Sequence, residues 1–346
     1  MLTKAMRGRD FLTIGALDKE EVDTILDVAA ELKLERARGV RHHLLKDKTL
    51  FMLFYNRSLR TRNSFECGMT QLGGHANYLD SSTVYTPSMA GAESAFVTER
   101  IVDVANVLSR YGDAIAVRIF GDSTSWEYGQ GHAYLEEFAA AADIPVINME
   151  DDVSHPTQII ADLLTLREKL GPLAGRKVVI SWAYSPSRRK PVSVPQSLMV
   201  GCSLYGANIV LARPSGFELD PAEIDNAKAN VERFGGSFEE TDDLRAAFDN
   251  ADVLYPKSWP SLHLLPPHSA KPDWDAQDRL FEQHHEWCVD EELMKLTKPD
   301  SLYMHCLPAD RGFEVTDAVI DGAHSVVYDQ AENRLHGEKA VMSLIM

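Results

Sequence analysis

The sequence predicts an α/β protein built from two doubly wound parallel-sheet domains that are joined by interdomain helices. Short runs rich in β-branched and aromatic residues alternate with segments whose apolar residues recur at helical spacing, which is the pattern of βαβ units. A length of 346 residues suits two domains of ordinary size. Between two sets of strand-like runs, HPTQIIADLLTLREKLG predicts a strong helix with Pro156 at its first position and Gly171 at its end.

The predicted strands form two groups, one on each side of this helix. In the first half of the chain they cover 49–55, 75–80, 114–120 and 145–150. In the second half they cover 176–184, 208–214, 251–256, 301–306 and 325–329. The last segment, AENRLHGEKAVMSLIM, has a helical pattern and is expected to return to the first domain. The predicted domains are therefore 1–150 with 331–346, and 151–330.

The net charge of the chain bears on which binding partners are expected. A formal net charge of −17 disfavours nucleic acid or an anionic membrane, because both require a basic surface. No apolar run reaches membrane-spanning length, and the opening MLTKAMRGRDFLTIG lacks the apolar core of a secretory signal. Cys67, Cys202, Cys288 and Cys306 are scattered, with no C-x-x-C pair. We therefore expect a reduced cytoplasmic protein without a metal site, in which clustered basic groups bind a small anion.

A strand-to-helix turn in FMLFYNRSLRTRNSF is the main candidate for anion binding. TLFMLFY is typical of a buried strand, and NSFECGMTQLGG is typical of a helix that ends at a glycine pair. Ser58, Arg60, Thr61 and Arg62 lie where the helix should begin. Amides at a helix N-terminus attract an anion, and each arginine fork can bind two phosphate oxygens. The alternative is a solvated basic turn.

The first strand of the second half lacks a dinucleotide-binding fingerprint. After RKVVISWAY the chain continues SPSRRKPVSVPQS, where such a fold needs G-x-G-x-x-G. Without those glycines the backbone cannot approach a pyrophosphate closely, so a nucleotide-dependent oxidoreductase is disfavoured. Pro186, Pro191 and Pro195 instead predict a stiff, extended loop.

Four motifs occur in order along the chain: SLRTR at 58–62, HPTQ at 155–158, HCLP at 305–308 and ENRLH at 332–336. Together they resemble the aspartate/ornithine carbamoyltransferase superfamily over essentially the full length. The proline-rich loop and YPKSW at 255–259 look like the knotted branch, which includes acetylornithine and succinylornithine carbamoyltransferases. The segments WAYSPSRRKPVSVPQ and LYMHCLPAD look closest to members of that branch whose substrate is unassigned.

The resemblance implies an architecture as well as an activity. The first domain would bind carbamoyl phosphate and the second an amino acceptor, with the active site in the cleft between them. The second domain would be trefoil-knotted, the chain near 256–267 crossing the loop 185–195. A homotrimer is implied, in which the loop 81–93 reaches a neighbour's site. No metal or organic cofactor is needed.

For carbamoyl phosphate, the resemblance implies contacts from residues in all four motifs and from one strand end. Arg118 would reach the phosphate and the carbonyl oxygen, His155 would donate to that oxygen, and Gln158 would hold the carbamoyl nitrogen. Cys306 would act through its backbone carbonyl and not as a nucleophile, because carbamoyl transfer needs no covalent intermediate. The implied donor-binding set is Ser58, Leu59, Arg60, Thr61, Arg62, Arg118, His155, Gln158, Cys306, Leu307 and Arg334.

For the acceptor, the resemblance implies a second set of residues. Lys257 matches a lysine that contacts the acceptor, and Glu150 or Asp151 lies where an acidic contact falls. Pro308 would fix the turn after HCL, where an X-Pro bond can be cis. Glu314 stands where acetylornithine enzymes carry a lysine, so acetylornithine is not the expected acceptor.

The predicted function is carbamoyl transfer between carbamoyl phosphate and the amine of an amino-acid-like acceptor. The reverse reaction, phosphorolysis of a ureido compound, uses the same transition state and stays open. A catalytically silent relative that binds carbamoyl phosphate, and less favourably an oxidoreductase, are the alternatives.

Overall fold

The computed structural model describes residues 4–84, 86–92, 99–265 and 271–346. The chain divides into two compact units. Unit 1 comprises Met1–Thr124, Gly129–Leu164 and Glu332–Met346, and unit 2 comprises Ser125–Tyr128 and Thr165–Ala331. Unit 1 is therefore assembled from segments that unit 2 separates along the chain.

Each unit contains one parallel sheet, and the predicted fold class is confirmed. In unit 1 the order is β2-β1-β3-β4, with strands β1 (Thr49–Phe54), β2 (His75–Asp80), β3 (Ala114–Arg118) and β4 (Val146–Glu150). In unit 2 the order is β7-β6-β5-β8-β9, with strands β5 (Lys177–Trp182), β6 (Asn208–Ala212), β7 (Ser237–Thr241), β8 (Val253–Lys257) and β9 (Leu302–Tyr303).

Helices connect the strands. Up to the end of the first sheet they are α1 (Lys19–Ala37), α2 (Leu59–Gln71), α3 (Ile101–Tyr111) and α4 (Gln130–Ala141). They continue as α5 (Pro156–Leu170), α6 (Ser193–Ser203), α7 (Pro221–Phe234), α8 (Leu244–Phe248), α9 (Trp274–Phe281), α10 (Glu291–Met294), α11 (Asp317–Ile320) and α12 (Val327–Ile345). The division between units falls within α5 and within α12. In the described ranges, no helix combines the length and the apolar character needed to cross a bilayer.

Most predicted elements are present, and three differ. The strand predicted at 301–306 covers only Leu302–Tyr303. β7 was not predicted, because its sequence SFEET is mostly exposed and shows no apolar alternation. The strand predicted at 325–329 is wrong: Ser325 makes only a single bridge to Tyr303, and α12 begins at Val327. The helix predicted from Pro156 is confirmed, and it ends at Leu170, one residue before Gly171.

The knot stays a prediction. The segment expected to cross the loop 185–195 runs from 256 to 267, and its last two residues lie outside the described ranges.

Helices α2 and α12 approach each other closely in unit 1. A Cβ atom at Gly68 would lie 2.8 Å from Cε of Met342 and 3.4 Å from Cγ of Lys339. Since real Cβ atoms avoid contacts as short as 2.8 Å, a side chain at position 68 would require the flexible end of Met342 to move. The close packing brings side chains of α12 to the anion-binding turn at the start of α2.

Candidate active site

The residues at 58–62 lie at the N-terminus of α2, after β1, as predicted for the anion-binding turn; its anion binding stays a prediction. Ser58 is the N-cap residue, and its hydroxyl accepts a hydrogen bond from the amide of Thr61 at 3.2 Å. Thr61 is buried, whereas Leu59 is exposed. Because the first amides of a helix have no intrahelical partner, they present donors to an anion.

The two arginines of SLRTR have different surroundings. Arg62 donates to Glu66 at 3.0 Å, and its guanidinium lies 3.7 Å from the centre of the Tyr78 ring. This stacking on β2 holds Arg62 at the edge of the turn. Arg60 contributes positive charge to the neighbourhood of His155 and lowers the pKa of that imidazole.

Arg334 of α12 links the anion-binding turn to α5. One of its terminal nitrogens donates to Oε1 of Gln158 at 2.7 Å, and the other donates to Oγ1 of Thr61 at 3.1 Å. Glu338, one turn further along α12, accepts from the same guanidinium at 2.7 and 3.0 Å. With Arg334 only 3% exposed, these contacts fix its charge in the interior of unit 1.

His155 is the buried titratable group at the centre of this charge. Burial lowers its pKa well below 6.5, and Arg334, Arg118 and Arg60 lower it further. The imidazole is therefore neutral at physiological pH and carries one N–H donor. Its Nδ1 lies 3.4 Å from Oγ1 of Thr157.

Arg118 ends β3 and forms an ion pair with Glu150, which ends β4. The pairing of these strands shifts register between Val117 and Arg118. Glu150 has φ of 147°, in a region that residues with a Cβ rarely adopt. Its carboxylate also lies 3.5 Å from Nε2 of His155. The irregular strand end therefore brings a carboxylate, a guanidinium and an imidazole together.

Asp151 has a structural position within the turn that leads to His155. Its buried carboxylate accepts from the amides of Val153 at 2.8 Å and Ser154 at 2.5 Å. It also lies 2.7 Å from Nδ1 of His132, which raises the pKa of His132 to about 9. Both acidic residues predicted for the acceptor are thus engaged by groups of unit 1.

The HCLP motif follows β9 in unit 2. His305 is fully buried, and its Nδ1 accepts from the amide of Leu307 at 2.9 Å. The bond between Leu307 and Pro308 is cis. Cys306, which is partly exposed, lies at the start of this turn. The turn holds its backbone in a fixed, non-helical conformation.

Glu314 is the centre of a buried network in unit 2. It accepts from the amides of Ser258 at 2.9 Å and Asp310 at 2.7 Å, and it lies 2.9 Å from Nζ of Lys190. Burial would raise the pKa of Glu314, but His305, Lys257 and Lys190 hold it well below 4.5. The carboxylate is ionised and already compensated.

Lys257 ends β8 beside this network. Its side chain is buried, and Nζ lies 3.2 Å from the carbonyl oxygen of Ser258. A second carboxylate of the network, that of Asp310, forms an ion pair with Nζ of Lys190 at 2.7 Å.

The structure sorts the predicted residues by unit. Those from 58 to 62 lie in unit 1 with Arg118, Glu150, Asp151, His155, Gln158 and Arg334. Lys257, Cys306, Leu307, Pro308 and Glu314 lie in unit 2. Four further residues belong to these clusters and were not predicted, namely Thr157, Lys190, His305 and Glu338. Glu338 could have been found, because it follows Arg334 at the i,i+4 spacing of helical ion pairs.

Two family models match the chain. The carbamoyl-P binding domain of aspartate/ornithine carbamoyltransferase matches residues 9–168, and the Asp/Orn binding domain matches residues 188–345. Ornithine carbamoyltransferase of Thermococcus kodakarensis is 40% identical over 342 residues, covering 99% of this chain and 98% of that protein.

Solved structures give the same result. Ornithine carbamoyltransferase of Pyrococcus furiosus is 40% identical with a TM-score of 0.83, and the match covers 99% of this chain and 98% of that one. An acetylornithine transcarbamylase complexed with acetylcitrulline is 34% identical with a TM-score of 0.90, covering 98% of this chain and 99% of that one.

Two parallel-sheet units that match both family domains are those of a carbamoyltransferase, an enzyme that moves a carbamoyl group between carbamoyl phosphate and an amine. The chain belongs to the aspartate/ornithine carbamoyltransferase family. That membership removes the oxidoreductase alternative.

Proposed function

We propose that unit 1 binds carbamoyl phosphate through the turn at 58–62 together with Arg118, His155, Gln158 and Arg334. The observation that carries this proposal is the concentration of guanidinium charge on one buried, neutral imidazole. Glu150 and Glu338 pair with Arg118 and Arg334, and the N–H groups of the three guanidinium groups suit a ligand with two negative charges. The amides that follow Ser58 add uncharged donors for the phosphate oxygens.

The proposed chemistry assigns a separate task to each group. The acceptor nitrogen forms a bond to the carbonyl carbon, the bond from that carbon to the phosphate oxygen breaks, and its electron pair leaves with phosphate. The nitrogen gives up one proton to the departing phosphate. Arg118 and the single N–H of His155 stabilise the negative charge that develops on the carbonyl oxygen. Gln158 orients the carbamoyl nitrogen, and Arg334 holds Gln158 in place.

The acceptor half of the proposal rests on unit 2. Lys257 receives one anionic group of the acceptor, and the backbone at Cys306 and Leu307 accepts from the carbamoyl NH₂. Glu314 acts on the acceptor through Lys190 and His305, since its own oxygens already have internal partners. An acceptor with an amine or ureido end and one carboxylate fits this arrangement.

The relatives leave a choice of acceptor. By name they act on ornithine and on N-acetyl-L-ornithine. By family resemblance, an ornithine enzyme would carry an S-M-G motif near Lys257, and an acetylornithine enzyme would carry a lysine at the position of Glu314. This chain has neither. We propose a short amino-acid acceptor that differs from acetylornithine.

The test begins with calorimetric titration of carbamoyl phosphate. Arg60→Ala should weaken binding at least tenfold, because a charge-assisted hydrogen bond contributes about 1.5–3 kcal/mol. Arg57→Ala is the matched control, since Arg57 is exposed and precedes the turn. If the parent and Arg60→Ala bind carbamoyl phosphate with equal affinity, the turn at 58–62 is not part of the carbamoyl phosphate site.

Phosphate release with an acceptor panel then identifies the substrate. The panel comprises ornithine, acetylornithine, succinylornithine and 2,3-diaminopropionate, with phosphorolysis of the matching ureido compounds as the reverse assay. Lys257→Met should raise KM for the active acceptor, whereas Lys271→Met, an exposed control in unit 2, should not. If the protein binds carbamoyl phosphate but releases phosphate with none of these acceptors, the alternative of a catalytically silent relative is favoured.

A further inference from the structure

Unit 1 contains a cavity that the proposed reaction does not use. It has a volume of about 350 Å³ and lies at the C-terminal ends of α1 and α2. Its polar lining includes Arg36, Arg41, His42, His43, Gln71 and Lys339. Five of these six side chains are basic, in a chain whose formal net charge is −17. A basic lining in so acidic a protein requires an explanation.

The cations of this cavity are poorly compensated. Within the described part of the chain, no carboxylate oxygen lies within 4 Å of the side-chain nitrogens of Arg36, Arg41 or Lys339. The one carboxylate at the rim, Glu35, lies 3.2 Å from Nε2 of His42. In the same unit, by contrast, Arg334 is paired with Glu338. The local excess of positive charge therefore faces the cavity.

Lys339 is the strongest single indication of a ligand. Its side chain is fully buried, and its Nζ makes one long contact, 3.5 Å from the carbonyl oxygen of Leu32. Burial, and after it the charge of Arg36, lower the pKa of Lys339 to about 8 against the opposing effect of Glu35. Burying an ammonium group with so little compensation is unfavourable unless an anion completes the site.

We propose that this cavity binds a small organic polyanion with two or more phosphate or carboxylate charges, at a site separate from that for carbamoyl phosphate. The volume is at the lower end of the range for small-molecule pockets and exceeds what a single phosphate fills. Thr70, which lines the cavity, is eleven residues beyond Leu59 on α2, about 16 Å along a helix axis. One anion cannot span both ends of that helix.

The test is calorimetric titration of the full chain with pyrophosphate and, separately, with citrate. These probes distinguish a phosphate ligand from a carboxylate ligand. Arg36→Gln and Arg41→Gln should each weaken binding of the favoured probe about tenfold or more, because each removes a charge-assisted hydrogen bond. Arg38→Gln is the matched control: it makes the same charge change at the end of α1 but does not line the cavity.

Binding at the donor site must be separated from binding at this cavity. The proposal expects Arg60→Ala to retain the probe affinity that Arg41→Gln loses, and Arg41→Gln to retain carbamoyl phosphate affinity. Lys339→Met, which preserves side-chain length, should lose the probe as well. The proposal is overturned if neither probe binds, if Arg38→Gln weakens binding as much as Arg41→Gln, or if Arg60→Ala alone abolishes it.

Discussion

Glu314 has an internal partner for each of its two carboxylate oxygens. Its two oxygens accept from backbone amides and lie beside Lys190 and His305. A glutamine at position 314 would place an NH₂ group against one of those amides. It would also remove the negative charge that pairs with Lys190. Removing one partner of a buried ion pair typically costs about 3–5 kcal/mol.

We therefore predict that Glu314→Gln lowers the free energy of unfolding by about 3 kcal/mol or more. Urea titration of the parent and the variant measures the change. Glu292→Gln is the control, because that glutamate pairs with a lysine while its side chain is 70% exposed. If both variants unfold at the parent's urea concentration, the network does not stabilise unit 2.

At the residue scale, sequence reasoning identified which groups bear charge but not what each one contacts. Arg334 was expected from ENRLH, and its link to Gln158 and Thr61 required coordinates. Glu150 was expected to face an acceptor, which stays a prediction, and its ion pair with Arg118 was not foreseen. The Arg118–Glu150 pair lies where the pairing of β3 with β4 shifts register, and a register shift cannot be predicted from the pattern of residues along one chain.

At the scale of elements, the turn between β4 and α5 depends on a buried ion pair. Asp151 holds His132 of α4, and the pKa of His132 is raised to about 9 from 6.5, chiefly by their hydrogen bond. A raised pKa means that the folded state binds the proton more tightly than the unfolded chain. The resulting stability is fully present below about pH 6.5 and is lost as pH rises through about 9.

His132→Asn should therefore be destabilising at pH 6 by up to about 3 kcal/mol and much less so at pH 10. Urea unfolding midpoints at both pH values test this. His75→Asn, at the exposed start of β2, serves as the control. A parent-to-variant difference that does not change with pH would show that the pair makes no proton-linked contribution.

Apolar periodicity located the buried strands well and the exposed ones poorly. β1 and β3 are almost wholly buried and were predicted to within two residues. β7 lies at a sheet edge with most of its side chains exposed, so hydrophobicity could not identify it. The false strand at 325–329 arose because SVVYD is apolar, yet Val327 begins a helix.

At the scale of the whole molecule, we expect a homotrimer. Family resemblance is the basis of this expectation, with the loop 81–93 supplying residues to a neighbour; Tyr85 and Glu93 of that loop lie outside the described ranges. Light scattering coupled to gel filtration should give three times the chain mass. A monomeric mass with full carbamoyl-transfer activity would contradict the prediction.

The interleaved make-up of unit 1 has a consequence for biosynthesis. Its last segment, Glu332–Met346, follows all of unit 2 in the chain and carries Arg334 and Lys339. A ribosome adding about 5–20 residues per second makes the anion-binding turn many seconds before it makes Arg334. The nascent first segment must therefore wait, with part of α2 uncovered, until the C-terminal helix arrives. Unit 2, which is nearly continuous, can fold first although it is encoded second.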